Sequence, residues 1–110
     1  MSDRRHSVIW TEPATADVER LAAYLSDESP LRAQQILERV VARAESLHAS
    51  PERGRTPPEL RAIGDRAWRE VLDPPWRIIY RIAGRRVEIH AVFDGRRSLE
   101  DVLMERVLGG

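Results

Sequence analysis

The stretch REVLDPPWRIIYRI, residues 69–82, decides how the chain is read. Asp73-Pro74-Pro75 separates two runs rich in β-branched and aromatic residues, which predict strands over 67–72 and 76–82. A third run, 86–93, follows Ala83-Gly84-Arg85, and Asp94-Gly95 closes it. Both connections are hairpin length, so the three strands should be antiparallel neighbours. Strict alternation puts Trp76, Ile78, Tyr80 and Ile82 on one face, with Val87, Ile89, Ala91 and Phe93. The other face receives Arg77, Ile79 and Arg81, with Arg86, Glu88, His90 and Val92. Arginines on such a face have two readings. They pair across strands with Glu70 or Glu88 on a solvated surface, or the face is aimed at something negative.

Working outward, Ser7-Val8-Ile9-Trp10-Thr11 predicts a short first strand. Pro13 suits a first helical turn, and Ala14, Val18, Leu21, Ala22 and Leu25 recur at helical spacing. Ser29-Pro30 restarts the helix as cap and first position. Ala33, Ile36, Leu37, Val40, Val41, Ala44 and Leu47 then form one apolar stripe, which Ser50-Pro51 ends. The two helices should form an antiparallel hairpin. Residues 51–64 (PERGRTPPELRAIG) read as a loop with one short turn. Ser98 to Asp101 has the spacing of a capping box, opening a short C-terminal helix through Leu99, Val102, Leu103 and Val107. The expected fold is α+β: an N-terminal strand, a two-helix hairpin packed on a small, mainly antiparallel sheet, and a short C-terminal helix. The 110 residues fit one domain, 1–110.

Composition narrows the function. The 18 basic and 18 acidic residues give no net charge, against a bulk nucleic-acid binder. All the basic residues are arginine, which stays protonated in proteins, so only a histidine offers a basic side chain as general base. Without cysteine there are no disulfides, thiolate metal sites or cysteine nucleophile. No apolar run reaches the ~18 residues of a membrane span, and MSDRRHSVIW lacks a signal-like apolar stretch. These features suit a cytoplasmic protein.

Enzyme motifs are missing. Gly84, Gly95, Gly109 and Gly110 fit turns and a terminus rather than a phosphate loop. His6, His48 and His90 have no metal-ligand spacing, and no serine lies in a nucleophile elbow. No cofactor or metal is expected. The remaining constellation is Arg69, Arg77, Arg81, Arg96 and Arg97, drawn from consecutive strands and the final turn; guanidiniums converging there could grip phosphate. Tyr80 falls on the opposite face by alternation. His90 reads as a partly exposed strand histidine or as an acid–base group near the arginines. Trp10, Trp68 and Trp76 read mainly as packing.

Four segments, VIWTEPATADVERLAAYL, SPERGRTPPELR, WREVLDPPWRIIYRI and VFDGRRSLEDVL, together resemble the RelE/ParE superfamily of toxins from bacterial type II toxin–antitoxin systems. The likeness covers nearly the whole chain. Its most specific pieces are the Pro-Glu-Arg-Gly-Arg loop, the Arg-Ile-Ile-Tyr-Arg strand and the Gly-Arg-Arg turn. The resemblance implies a helix hairpin on an antiparallel sheet and a cognate antitoxin whose C-terminal segment wraps the toxin. Any DNA contact would then run through the antitoxin, and no membrane is involved.

Activities divide within the superfamily. ParE-like members inhibit DNA gyrase, a plasmid-stabilising function in many systems; RelE-like members cleave mRNA on the ribosome without a metal. The regular helix hairpin and the Gly-Arg-Arg ending resemble ParE. RelE-like enzymes lean on lysines and a late tyrosine or histidine, whereas this chain has no lysine and ends its last strand in Phe93-Asp94. The favoured expectation is gyrase inhibition by protein–protein contact, with Arg69, Arg77, Arg81, Arg96 and Arg97 as target-facing candidates. The alternatives are an mRNA endonuclease using Arg77, Arg81, Tyr80 and His90, or a non-toxic relative that only binds antitoxin.

Overall fold

Each helix of the hairpin begins at a side-chain cap. In this computed structural model, which describes residues 5–109, Thr11 Oγ1 accepts from Ala14 N at 3.3 Å and opens α1 (Glu12–Ser26). Ser29 Oγ accepts from Arg32 N at 3.2 Å and opens α2 (Pro30–Glu45). Such caps satisfy amide N–H groups that have no partner within the helix. Residues 1–4 of the N-terminal stretch and Gly110 of the terminus lie outside the described residues.

The strands are β1 (Ser7–Trp10), β2 (Trp68–Asp73), β3 (Trp76–Ala83) and β4 (Arg86–Asp94), ordered β1-β4-β3-β2. The β2–β3 and β3–β4 pairs are antiparallel, and β1 joins β4 in parallel. The loop expected over 51–64 holds a 3₁₀ turn at Pro51–Arg53 and the single-turn helix α3 (Pro58–Arg61). The chain ends in α4 (Leu99–Gly109). The α+β architecture expected from the sequence is the one observed. No helix among the described residues is long and apolar enough to cross a membrane.

Two cores lie on opposite sides of the sheet. The helix hairpin brings Ala14, Val40, Ala44 and Leu47 onto Val71, Ile78, Tyr80, Val87 and Ile89. On the other side, Leu99 and Val102 of α4 pack on Ile79, Ala91 and Phe93, with Leu60 and Trp68 at the margin. The face expected to be open is therefore largely covered. Burying side chains such as Phe93 and Leu99 contributes about 1.5–3 kcal/mol each, enough to hold a short helix against the sheet.

Strict alternation also fails along β4. Pairing steps from Ile79–Ala91 to Tyr80–Ile89, which leaves His90 as an extra residue in a bulge. One extra residue exchanges the faces of everything beyond it. Val92 thus joins the helix-side core, while Ala91 and Phe93 face α4.

Candidate functional site

Arg77 is the second residue of β3 and is 8% exposed. A buried guanidinium requires compensation, and here it is complete. Nε donates to Glu70 Oε1 at 2.7 Å, and Nη1 and Nη2 donate to the two oxygens of Glu59 at 2.9 Å each. Nη1 also reaches the Arg97 carbonyl at 3.4 Å, and the guanidinium carbon stands 5.1 Å from the Phe93 ring centre. The other oxygen of buried Glu70 accepts from Arg55 Nε at 2.8 Å. Glu59 also accepts from Leu99 N at 2.9 Å, so a residue of α3 holds the start of α4. The Arg77 hydrogen bonds bring the Glu59 carboxyl from 4.5 down to about 2, against the opposing effect of burial and with help from Leu99 N–H. The same contact with Glu59 raises the pKa of Arg77.

Tyr80 is fully buried on the helix side. Its hydroxyl donates to the Pro51 carbonyl at 2.6 Å and accepts from Gly54 N at 2.8 Å. Burial raises its pKa. This bond explains the glycine of the Pro-Glu-Arg-Gly-Arg loop. A Cβ on Gly54 would lie 2.4 Å from the Tyr80 hydroxyl and 2.7 Å from the Glu70 carbonyl. Arg69 serves the same loop, donating to the carbonyls of Glu52 at 3.2 Å and Gly54 at 3.0 Å.

Arg81 faces the same side as Arg77 but lies beyond the cover of α4. Its side chain is 44% exposed and donates to Glu88 at 3.1 Å. Glu88 also receives Arg86 at 3.2 Å and contacts His90 Nε2 at 3.1 Å. His90, followed by Arg81, depresses the Glu88 pKa. Trp68 completes the cluster: its ring meets His90 edge-on at 4.8 Å, and Arg81 stands 5.2 Å from its centre. His90 lies on the face that alternation gives it.

Arg96 and Arg97 occupy the turn after β4. Arg96 is almost fully exposed and clasps Asp94, with Nη2 to Oδ2 at 2.6 Å; Arg97 pairs with Glu105 at 2.6 Å. They rim a cleft of about 620 Å³ between α1 and α4, lined also by Tyr24, Trp76 and Val102. Asp17 ties this end together by accepting from Val92 N at 2.9 Å and from Arg106.

The five arginines therefore occupy separate places rather than one patch. Arg77 is buried and Arg69 braces the Gly54 loop, while Arg96 and Arg97 stand at the cleft. Arg81 lies with Glu88, His90 and Trp68. The cross-strand pairs Arg77–Glu70 and Arg81–Glu88 match the pairing reading of the strand arginines. Sequence reasoning missed Glu59, Asp17 and Arg106, whose partners are remote in the chain and carry no local spacing signal. Among the described residues, no group of three or more His, Cys, Asp or Glu side chains could hold a metal ion.

Fold and motifs together define a toxin of the RelE/ParE superfamily. A family model described as "ParE toxin of type II toxin-antitoxin system, parDE" matches residues 8–99, and the chain belongs to that family. It is similar to Toxin RelE2 of Caulobacter vibrioides, 37% identical over 83 residues that cover 74% of this chain and 86% of that protein. Two solved structures share the fold. A chain of the chromosomal ParDE TA system from P. aeruginosa matches with a TM-score of 0.67 and 20% identity, covering 83% of this chain and 97% of that one. A chain of the toxin–antitoxin complex RelBE2 from Mycobacterium tuberculosis matches with a TM-score of 0.59 and 24% identity, covering 82% and 91%.

Proposed function

We propose that the chain is a ParE-like toxin of the cytoplasm that inhibits DNA gyrase by protein–protein contact. A cognate antitoxin, through a C-terminal segment that wraps the toxin, holds it inactive, and any DNA contact runs through that antitoxin. The observation that carries this reading is the engagement of Arg77 and Tyr80. Both are buried, and their polar groups are committed to Glu59, Glu70, Pro51 and Gly54. Metal-free RNA cleavage needs groups that reach the scissile phosphate and move protons there. Two of the four residues that the nuclease reading relies on are occupied by the fold itself. The family match to a ParE toxin supports the same side, and the solved relatives named as toxin–antitoxin systems support the antitoxin. The test is plasmid supercoiling by gyrase in the presence of the purified, antitoxin-free chain. Lost supercoiling with accumulating linear plasmid is expected; unaffected supercoiling by folded protein contradicts the proposal.

A second reading rests on the cluster around His90. A histidine in contact with Glu88, beside a half-exposed Arg81 and a tryptophan ring, has the elements of a metal-free ribonuclease. The likeness to Toxin RelE2 favours it. Under this reading His90→Ala lowers mapped cuts in translated messages by about 10²–10⁴-fold. An absence of such cuts in growth-inhibited cells excludes it.

A further inference from the structure

The cleft between α1 and α4 holds about 620 Å³, within the roughly 300–1,000 Å³ of small-molecule pockets. Its floor is apolar, with Leu21, Trp76, Phe93 and Val102. Four guanidiniums line it, those of Arg20, Arg96, Arg97 and Arg106, against three carboxylates. Arg96 pairs with Asp94 and Arg97 with Glu105, while Arg20 and Arg106 share Asp17. One positive charge is therefore in excess. Two of the guanidiniums stand open, since the side chains of Arg96 and Arg20 are 87% and 70% exposed. Arg96 spends Nε and Nη2 on Asp94, and Arg20 spends Nη2 on Asp17. The Nη1 group of each donates to nothing among the described residues. Tyr24, 67% exposed, lies one helical turn beyond Arg20 and within electrostatic reach of Arg96.

The cleft also contains unspent backbone groups. β1 pairs with β4 only as far as Ile89. Beyond that point side chains stand where a strand would: Arg106 donates to the His90 carbonyl, and Val92 N–H donates to Asp17 Oδ2 at 2.9 Å. Val92 N–H therefore points away from β3. Gly95 N–H points toward it, donating to the Pro75 carbonyl at 2.6 Å. In an antiparallel pair the N–H and C=O of one residue share a direction, and alternate residues repeat it. Val92 C=O and Asp94 N–H thus also point away from β3, and both residues line the cleft. Neither group has a partner among the described residues. Together they make an acceptor and a donor two residues apart, in a wall that also carries an open tyrosine and open guanidiniums.

We propose that this cleft binds a free mononucleotide. Every nucleobase carries a donor beside an acceptor on its Watson–Crick edge, and these meet Val92 C=O and Asp94 N–H. The ring lies over the apolar floor with Tyr24 against its face, and the phosphate takes the open N–H groups of Arg96 and Arg20. A nucleic-acid strand fits less well, because one excess positive charge offers little to a run of phosphates. The site is independent of the target that the toxin meets and of the antitoxin that restrains it.

The probe is ADP carrying a fluorescent N-methylanthraniloyl group on its ribose, titrated with the full chain and followed by anisotropy. Saturable binding is expected, reversed by unlabelled ADP. Arg96→Gln and Tyr24→Ala, both at exposed positions and with folds checked by circular dichroism, should each weaken it about tenfold or more. Arg86→Gln, at the opposite end of β4 from the cleft, should leave it unchanged. Three results overturn the proposal. They are no saturable binding to folded wild type, unchanged binding by either cleft variant, or displacement by inorganic pyrophosphate as complete as by ADP at equal concentration. The last would reduce the site to a plain anion contact. Growth inhibition by the wild-type chain, scored separately, reports on the toxin reading alone.

Discussion

Arg77 and Arg81 lie on one strand and face the same side of the sheet, yet they do different work. Over Arg77 the chain closes Glu59, Phe93 and the start of α4, and the guanidinium becomes a structural tie among β2, β3, α3 and α4. Arg81 has only Trp68 and Glu88 beside it among the described residues, and its side chain stands half in water. Residue type, strand and sheet face are the same. The difference lies in what covers each end of the face, and it teaches that a strand arginine is a candidate contact only after its cover is known.

The largest expected effect is at the covered end. Arg77→Ala leaves Glu70 buried with only Arg55 as partner, and should cost about 3–5 kcal/mol, read as a lower urea midpoint. Gly54→Ala forces a methyl into the Tyr80 hydroxyl and the Glu70 carbonyl, with an expected loss of about 1–3 kcal/mol in the same experiment. Tyr80→Phe strands Gly54 N–H and the Pro51 carbonyl and should cost a similar ~1–3 kcal/mol.

A pH series sharpens the role of Glu59. Its folded pKa is depressed from 4.5 to about 2, so its contribution is present above about pH 4.5 and disappears as pH falls through about 2. Glu59→Gln should be less stable than wild type at neutral pH, and the gap should narrow between pH 4.5 and 2. A constant gap would deny the link between Glu59 ionisation and the anchoring of α4. The smallest stability effect belongs to Arg81→Ala, within about 1 kcal/mol, because exposed pairs contribute little.

The sequence made the element order, the Ser29 and Ser98 caps and the hairpin strands legible, because these rest on local spacing and turn chemistry. It also supplied the pairs Arg77–Glu70 and Arg81–Glu88 as one of two readings. The bulge at His90 was hidden, since alternation assumes unbroken pairing, and it moved Ala91, Val92 and Phe93 to opposite faces. The cover over Arg77 was hidden too. Glu59 sits in a proline-rich loop with nothing local to show that it grips a strand arginine and caps a helix 40 residues away. Tyr80 was on the expected helix-side face, but its bonds to Pro51 and Gly54 depend on a loop path that spacing does not encode.

The most direct test of the account is gyrase supercoiling titrated in parallel with wild type and Arg81→Ala, matched for folded protein. The account predicts inhibition by wild type and a clear loss of potency for Arg81→Ala, about tenfold or more, with its urea midpoint nearly unchanged. Equal inhibition by both proteins, or none by wild type, would contradict gyrase inhibition through Arg81, one of the target-facing candidates read from the sequence.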